Sequence, residues 1–188
     1  MTLMKTDNDN LSKKLAIRLF AMDKLGKSQT KPIRVLDCFA GEGLLWHYLK
    51  KESKFCIEHV GIDSLPKRGA LYVGDNQRYL CQLPIDDYDV IDLDAYGVPY
   101  NQMKILAQRN YQGIVVGTFI QCVYGGLPYA MLEDIGYSRP MVRKITKLFF
   151  NNGWDKWATF LRLIGYEDVF VFHCANKHYF CCLPRKIR

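Results

Sequence analysis

The chain has 188 residues, 49% of them hydrophobic and 24% charged. That is the size and balance of one compact domain, and it excludes wholesale disorder, collagen-like repeats and low-complexity architecture. Lys and Arg number 26 against 19 Asp and Glu, a formal charge of +7, a sign that favours a polyanionic partner such as nucleic acid. The excess is unevenly spread, with +5 over residues 1–36, −5 over 37–138 and +7 over 139–188. A solvated face or a nucleic-acid surface would each account for the basic flanks. The number of cysteines, seven, is odd, and residues 1–10 are polar where a signal peptide needs an apolar run. Reduced thiols in a cytoplasmic protein are therefore expected.

In chain order, residues 1–10 read as a flexible tail. Leu11, Leu15, Ile17, Leu19 and Phe20 interleave with Lys13, Lys14 and Arg18, which predicts a helix over 11–26 that is basic on its outer face. From Ile33 onward, short apolar runs alternate with amphipathic stretches. Strands are predicted at 33–38, 58–63, 71–73, 88–94, 113–120, 168–174 and 179–183, and helices at 43–51, 76–81, 99–109 and most of 140–164. Five strand-then-helix units followed by two strands in close succession imply a single α/β domain over residues 1–188. Its sheet is mostly parallel and seven-stranded, with a final antiparallel strand and helices on both faces.

The stretch 110–132 carries no charge, but Gly113, Gly117, Gly125, Gly126 and Pro128 interrupt it. The β-branched run 113–120 inside it suits a buried parallel strand rather than a membrane span. His173, Cys174, His178 and Cys181 are close enough to suggest zinc, yet the segment reads more simply as a hairpin turning at 175–177, and no metal is expected. On such a strand the vicinal Cys181 and Cys182 point to opposite faces. Trp154, Trp157, Phe160 and Leu161 follow helical spacing and are candidate core.

The chemistry-bearing segments all lie at strand ends. Val35-Leu36-Asp37-Cys38-Phe39-Ala40-Gly41-Glu42-Gly43 is an apolar strand, a glycine turn and the start of a helix, an arrangement that lets the backbone approach a nucleotide closely. Trp46 stands where a dinucleotide fingerprint would place its third glycine. Val60-Gly61-Ile62-Asp63 ends in a carboxylate able to accept from two ribose hydroxyls. Val73-Gly74-Asp75-Asn76 is a further strand end, where an Asp commonly caps a helix. The fourth strand runs into Asp92-Leu93-Asp94-Ala95-Tyr96-Gly97. Asp92 shares the Asp94 strand face one step deeper, and its default reading is structural.

The D-x-F-x-G-x-G turn resembles the first motif of class I S-adenosylmethionine-dependent methyltransferases, a Rossmann-like fold. Asp94-Ala95-Tyr96-Gly97 looks like the D-P-P-Y or D-P-F-G motif of methyltransferases acting on nucleobase amines. The wider run is most similar to the guanine-N2 dimethyltransferases of tRNA, although Ala95 replaces the family's Pro and the additional domain of those enzymes is not expected within these 188 residues. The resemblance covers roughly residues 33–120. It implies S-adenosyl-L-methionine as cofactor, held by Asp37, Phe39, Ala40, Gly41, Gly43, Asp63, Asp75 and Asn76. Asp94 and the Ala95 carbonyl would accept the amine protons while Tyr96 stacks on the base.

Tyr100, Tyr124 and Tyr129 cluster after this edge, either as stacking platforms or as packing. Nucleic acid, RNA or DNA, is the expected partner. A small-molecule or protein methyltransferase and a non-catalytic nucleic-acid-binding module of the same fold stay open.

Overall fold

The structure is a computed structural model that describes residues 10–26, 31–121, 126–174 and 177–185. Its strands are β1 (Ile33–Asp37), β2 (Ile57–Asp63), β3 (Tyr72–Val73), β4 (Val90–Leu93), β5 (Ile114–Ile120), β6 (Tyr166–Cys174) and β7 (Lys177–Pro184). They form one sheet in the order β3-β2-β1-β4-β5-β7-β6. All pairings are parallel except those of β7, which runs antiparallel to both β5 and β6. The expected final antiparallel strand is thus inserted between its two neighbours. The turn anticipated at 175–177 falls largely outside the described residues.

The helices are α1 (Leu11–Leu25), α2 (Leu44–Glu52), α3 (Asn76–Gln82), α4 (Tyr100–Gln108), α5 (Tyr129–Asp134), α6 (Arg139–Lys144) and α7 (Gly153–Leu163). Alternation along the strands divides the core in two. Leu36, Ile91, Val115 and Cys182 face Leu80, Met103, Met131 and Trp157 of α3, α4, α5 and α7. Val35, Val90, Val116 and Cys181 face Ile17, Met22, Trp46 and Leu49 of α1 and α2. The vicinal cysteines therefore take opposite faces, as period-two geometry requires. Trp157, Phe160 and Leu161 are fully buried, and β5 is buried at every position. Among the described residues no helix is long and apolar enough to cross a membrane.

Three expectations are corrected. There are not five strand–helix units, because the chain passes from β2 to β3 through residues 64–71 without a helix. That segment is packed instead by glycine on glycine. A Cβ on Gly69 would stand 2.4 Å from the Gly43 nitrogen, and one on Gly61 would stand 1.9 Å from the Gly69 carbonyl oxygen.

The helix anticipated over 140–164 is broken into α6, a 3-10 turn at Thr146–Phe149 and α7. Asn152 sits at φ 52° just before α7, a left-handed conformation that a continuing helix cannot contain.

Finally, α1 is not simply basic on its outside. Arg18 is 1% exposed and points into the sheet, because the Asp92 carboxylate lies beneath it.

Candidate functional site

Asp37 and Asp92 are register partners on β1 and β4, and Asp94 follows two residues after Asp92, so the period of two puts all three carboxylates on the face covered by α1 and α2. Such a concentration of negative charge in the interior needs compensation. α1 supplies it through Arg18, whose Nε and Nη2 donate to the two Asp92 oxygens at 2.7 and 2.8 Å. Trp46 Nε1 of α2 donates to Asp92 Oδ2 at 2.7 Å. Asp92 thus has the structural role its depth suggested. Burial drives its carboxyl above the ordinary range, and Asp37 and Asp94 add to this against the pull of Arg18.

Asp94 is held differently. Thr118 Oγ1 donates to Oδ1 at 2.5 Å, Lys14 Nζ lies 2.9 Å from Oδ2, and Arg18 Nη2 is 3.6 Å away. Burial alone would raise this carboxyl. Arg18, then Lys14 and the Thr118 hydroxyl, outweigh it and hold Asp94 below the usual carboxylate range. The group is ionised at neutral pH and 20% exposed.

Ala95 is buried, and its N–H closes a tight turn onto the Leu93 carbonyl at 2.7 Å. The next ring, Tyr96, is 71% exposed. Gly97 follows at φ 143°, a conformation that turns the chain away and leaves the ring standing at the strand end. Tyr100 is buried, donating to Asp134, and so belongs to the packing between α4 and α5. Tyr129 is half-buried against Phe149, while Tyr124 and Gly125 lie outside the described residues.

At the ends of β1, β2 and β3 a cavity of about 130 Å³ is lined by Cys38, Phe39, Asp63, Ser64, Gly74, Asp75 and Asn76. Four of the eight expected cofactor residues, Phe39, Asp63, Asp75 and Asn76, are therefore brought together. Asp63 Oδ2 accepts from Gly41 N at 2.9 Å and Oδ1 from Leu65 N at 3.0 Å, so this carboxylate also shapes the turn beside it. Asp75 caps α3 by accepting from Gln77 N. The Asn76 side chain is engaged inside the protein, donating to the Cys38 carbonyl and accepting from Gln102.

Asp37, Ala40, Gly41 and Gly43 stand behind this wall. Asp37 Oδ1 accepts from Phe39 N at 3.0 Å. Ala40 N donates to the Ile62 carbonyl and its own carbonyl accepts from Gly43 N, while the far side of Gly43 is taken up by Gly69. The lining has the chemistry that the nucleoside of S-adenosylmethionine takes: an aromatic ring, and at the ends of β2 and β3 two carboxylates that accept from hydroxyl and amino groups.

The zinc cluster does not assemble. His173 and His178 meet across β6 and β7 with Nδ1 atoms 2.8 Å apart, whereas Cys174 faces Lys13 of α1 and Cys181 is buried against the α1 side of the sheet. No group of three or more metal-ligating side chains occurs among the described residues. Sequence reasoning missed the part played by Lys14 and Arg18. The available signal was Arg18 beside Ile17 and Ala21, in the middle of the apolar stripe of α1.

No family model matches the chain, and no curated protein matches it in sequence. Solved structures do. A phosphoethanolamine N-methyltransferase of Haemonchus contortus in complex with S-adenosyl-L-methionine matches with a TM-score of 0.55 at 12% identity, over 93% of this chain and 53% of that one. A plantazolicin methyltransferase in complex with S-adenosylhomocysteine gives 0.56 at 14%, over 95% and 86%. A SAM-dependent methyltransferase from Archaeoglobus fulgidus gives 0.52 at 12%, over 94% and 97%. The chain spans about half the length of the nematode enzyme. At such identities the likeness is one of architecture, and it agrees with the strand order and the antiparallel β7: the chain has the α/β, Rossmann-like fold of the S-adenosylmethionine-dependent methyltransferases.

Proposed function

We propose that the protein is an S-adenosylmethionine-dependent methyltransferase that acts on an exocyclic amine of a nucleobase in RNA or DNA. The observation that carries the reading is the pairing of an ionised Asp94 with an exposed Tyr96 at the end of β4, one strand from the cavity at the ends of β1 to β3. The cofactor supplies an electrophilic methyl group. In this reading Asp63 and Asp75 hold its nucleoside, and Asp94 with the Ala95 carbonyl orients the acceptor nitrogen by its N–H groups so that its lone pair stays free. Tyr96 stacks on the base, and the basic flanks meet phosphates. A cytoplasmic location goes with this reading, supported by the odd number of cysteines.

A specific contact favours a second reading, in which the acceptor is a small aliphatic amine. The nitrogen now on Asp94 is an alkylammonium, that of Lys14, and exchanging one cation for another preserves the ion pair. One experiment separates the two. Labelled S-adenosylmethionine is incubated with the protein and either total nucleic acid or a pool of small amines, and the products are treated with nuclease and identified by mass spectrometry. Label in a modified nucleoside supports the first reading, and label only in the amine pool supports the second. Cofactor binding without transfer to any acceptor would leave a binding module of this fold.

A further inference from the structure

The nitrogen on Asp94 belongs to the chain itself. Lys14 Nζ, 2.9 Å from Asp94 Oδ2, stands where the proposed reaction places its acceptor. The backbone carrying it is anchored, since Arg18 Nη1 donates to the Lys14 carbonyl at 2.9 Å while the same guanidinium grips Asp92. The adjacent Lys13 is directed elsewhere, to Cys174 Sγ at 2.9 Å. Lys14 is 19% exposed, so its proton has a route to water.

We propose that Lys14 is a self-methylation site, its nitrogen presented by Asp94 to the methyl group of S-adenosylmethionine. This rests on the methyltransferase reading above. The Lys14 ammonium first gives one proton to water. The neutral nitrogen keeps an N–H on Asp94 and attacks with its lone pair. An N–C bond forms as the methyl–sulfur bond breaks, the electron pair of that bond stays on sulfur, and the positive charge passes from sulfonium to methylammonium as S-adenosylhomocysteine leaves. A neutral monomethyl amine still has an N–H for Asp94, whereas a neutral dimethyl amine has none, so addition ends at two methyl groups.

The test uses the full chain and labelled S-adenosylmethionine with no other acceptor, followed by digestion and tandem mass spectrometry. One or two methyl groups are expected on Lys14 and none on Lys13, at a rate per chain that is unchanged on dilution. Lys14→Arg, which keeps the cation on Asp94, is expected to lose the label. A second readout needs no transfer. With cofactor absent, an amine-reactive ester should modify Lys14 several-fold more slowly than Lys51, which is 75% exposed, and Asp94→Asn should speed the modification of Lys14 while leaving that of Lys51 unchanged. A chain that binds S-adenosylmethionine by calorimetry yet leaves Lys14 unmodified overturns self-methylation alone, as does label that persists in Lys14→Arg. A chain that binds no S-adenosylmethionine removes the methyltransferase reading as well.

Discussion

Arg18 and Asp92, 74 positions apart, are joined by two parallel hydrogen bonds of 2.7 and 2.8 Å, with side chains 2% and 1% exposed. The pair fastens the N-terminal helix to the middle of the sheet. Because α1 carries Lys14 as well, the same bond that fixes the fold fixes what faces Asp94.

Removing one partner leaves a buried charge without its counterion. Arg18→Met is expected to lower unfolding free energy by about 3–5 kcal/mol, while the double change Arg18→Met with Asp92→Leu recovers only part of it, because Trp46 Nε1 then loses its acceptor. Urea denaturation of the wild type and the two variants checks this, and a double variant no more stable than Arg18→Met would show that the pair is not a self-contained unit.

Asp94→Ala is expected to abolish methyl transfer while cofactor affinity stays within about threefold, since Asp94 is assigned to the acceptor. Tyr96→Ala should weaken substrate engagement by roughly 1–3 kcal/mol, and Tyr96→Phe should be mild because the π-face survives. Steady-state kinetics with the identified acceptor decides. Full activity in Asp94→Ala, or a Tyr96→Phe as damaged as Tyr96→Ala, would move the chemistry to another group.

Asp63→Ala should cost cofactor binding on the order of 1.5–3 kcal/mol by calorimetry, from ribose hydroxyls left without a charged acceptor. Because Asp63 also accepts from Gly41 N and Leu65 N, the melting temperature without cofactor should fall too. An unchanged melting temperature together with weakened binding would confine Asp63 to ligand contact.

The lowered Asp94 carboxyl, with Arg18 and Lys14 outweighing burial, has a defined pH signature. In the window between its folded value and the ordinary value of about 3.9, the unfolded chain binds more protons than the folded one, so stability rises with pH. The contribution is complete above that window and lost as pH falls through the folded value. The stability gap between the wild type and Asp94→Asn should therefore be widest at neutral pH and close in acid, as read by denaturation at a series of pH values.

The basic residues between 139 and 147 do not lie on one continuous helix. Arg139 and Arg143 lie on α6, Lys147 is on the following 3-10 turn, and Arg139 is paired with Glu133 at 2.7 Å. Reversing Arg143 and Lys144, both exposed, should weaken binding to nucleic acid and flatten its salt dependence, since each lost phosphate contact releases fewer counterions. Salt dependence identical to the wild type would reduce the segment to solvated surface.

What was legible in the sequence follows from periodicity. Continuous apolar runs marked the buried strands β1, β4 and β5, and the carboxylates that end them marked the edge where Asp63, Asp75 and Asp94 stand. What was hidden depends on contacts distant in sequence. Lys14 and Arg18 read as outer-face charges because a helix pattern cannot show that a carboxylate 74 positions away waits under Arg18. The interruption between α6 and α7 was equally silent, since Asn152 gives no strong signal of a left-handed turn. The count of five strand–helix units fails because no helix follows β2: Gly69 comes back onto the glycine turn, its N–H donating to the Gly41 carbonyl at 3.1 Å.

The stack of Gly43, Gly61 and Gly69 has a consequence for how the protein can diverge. Each of the three leaves no room for a methyl group against backbone atoms of another, so none can change unless the others move apart. Residues 65–68 between Gly61 and Gly69 contain no further glycine. Kin of this chain should be recognised by the co-occurrence of glycine at these three places, a more selective mark than the glycine turn taken alone.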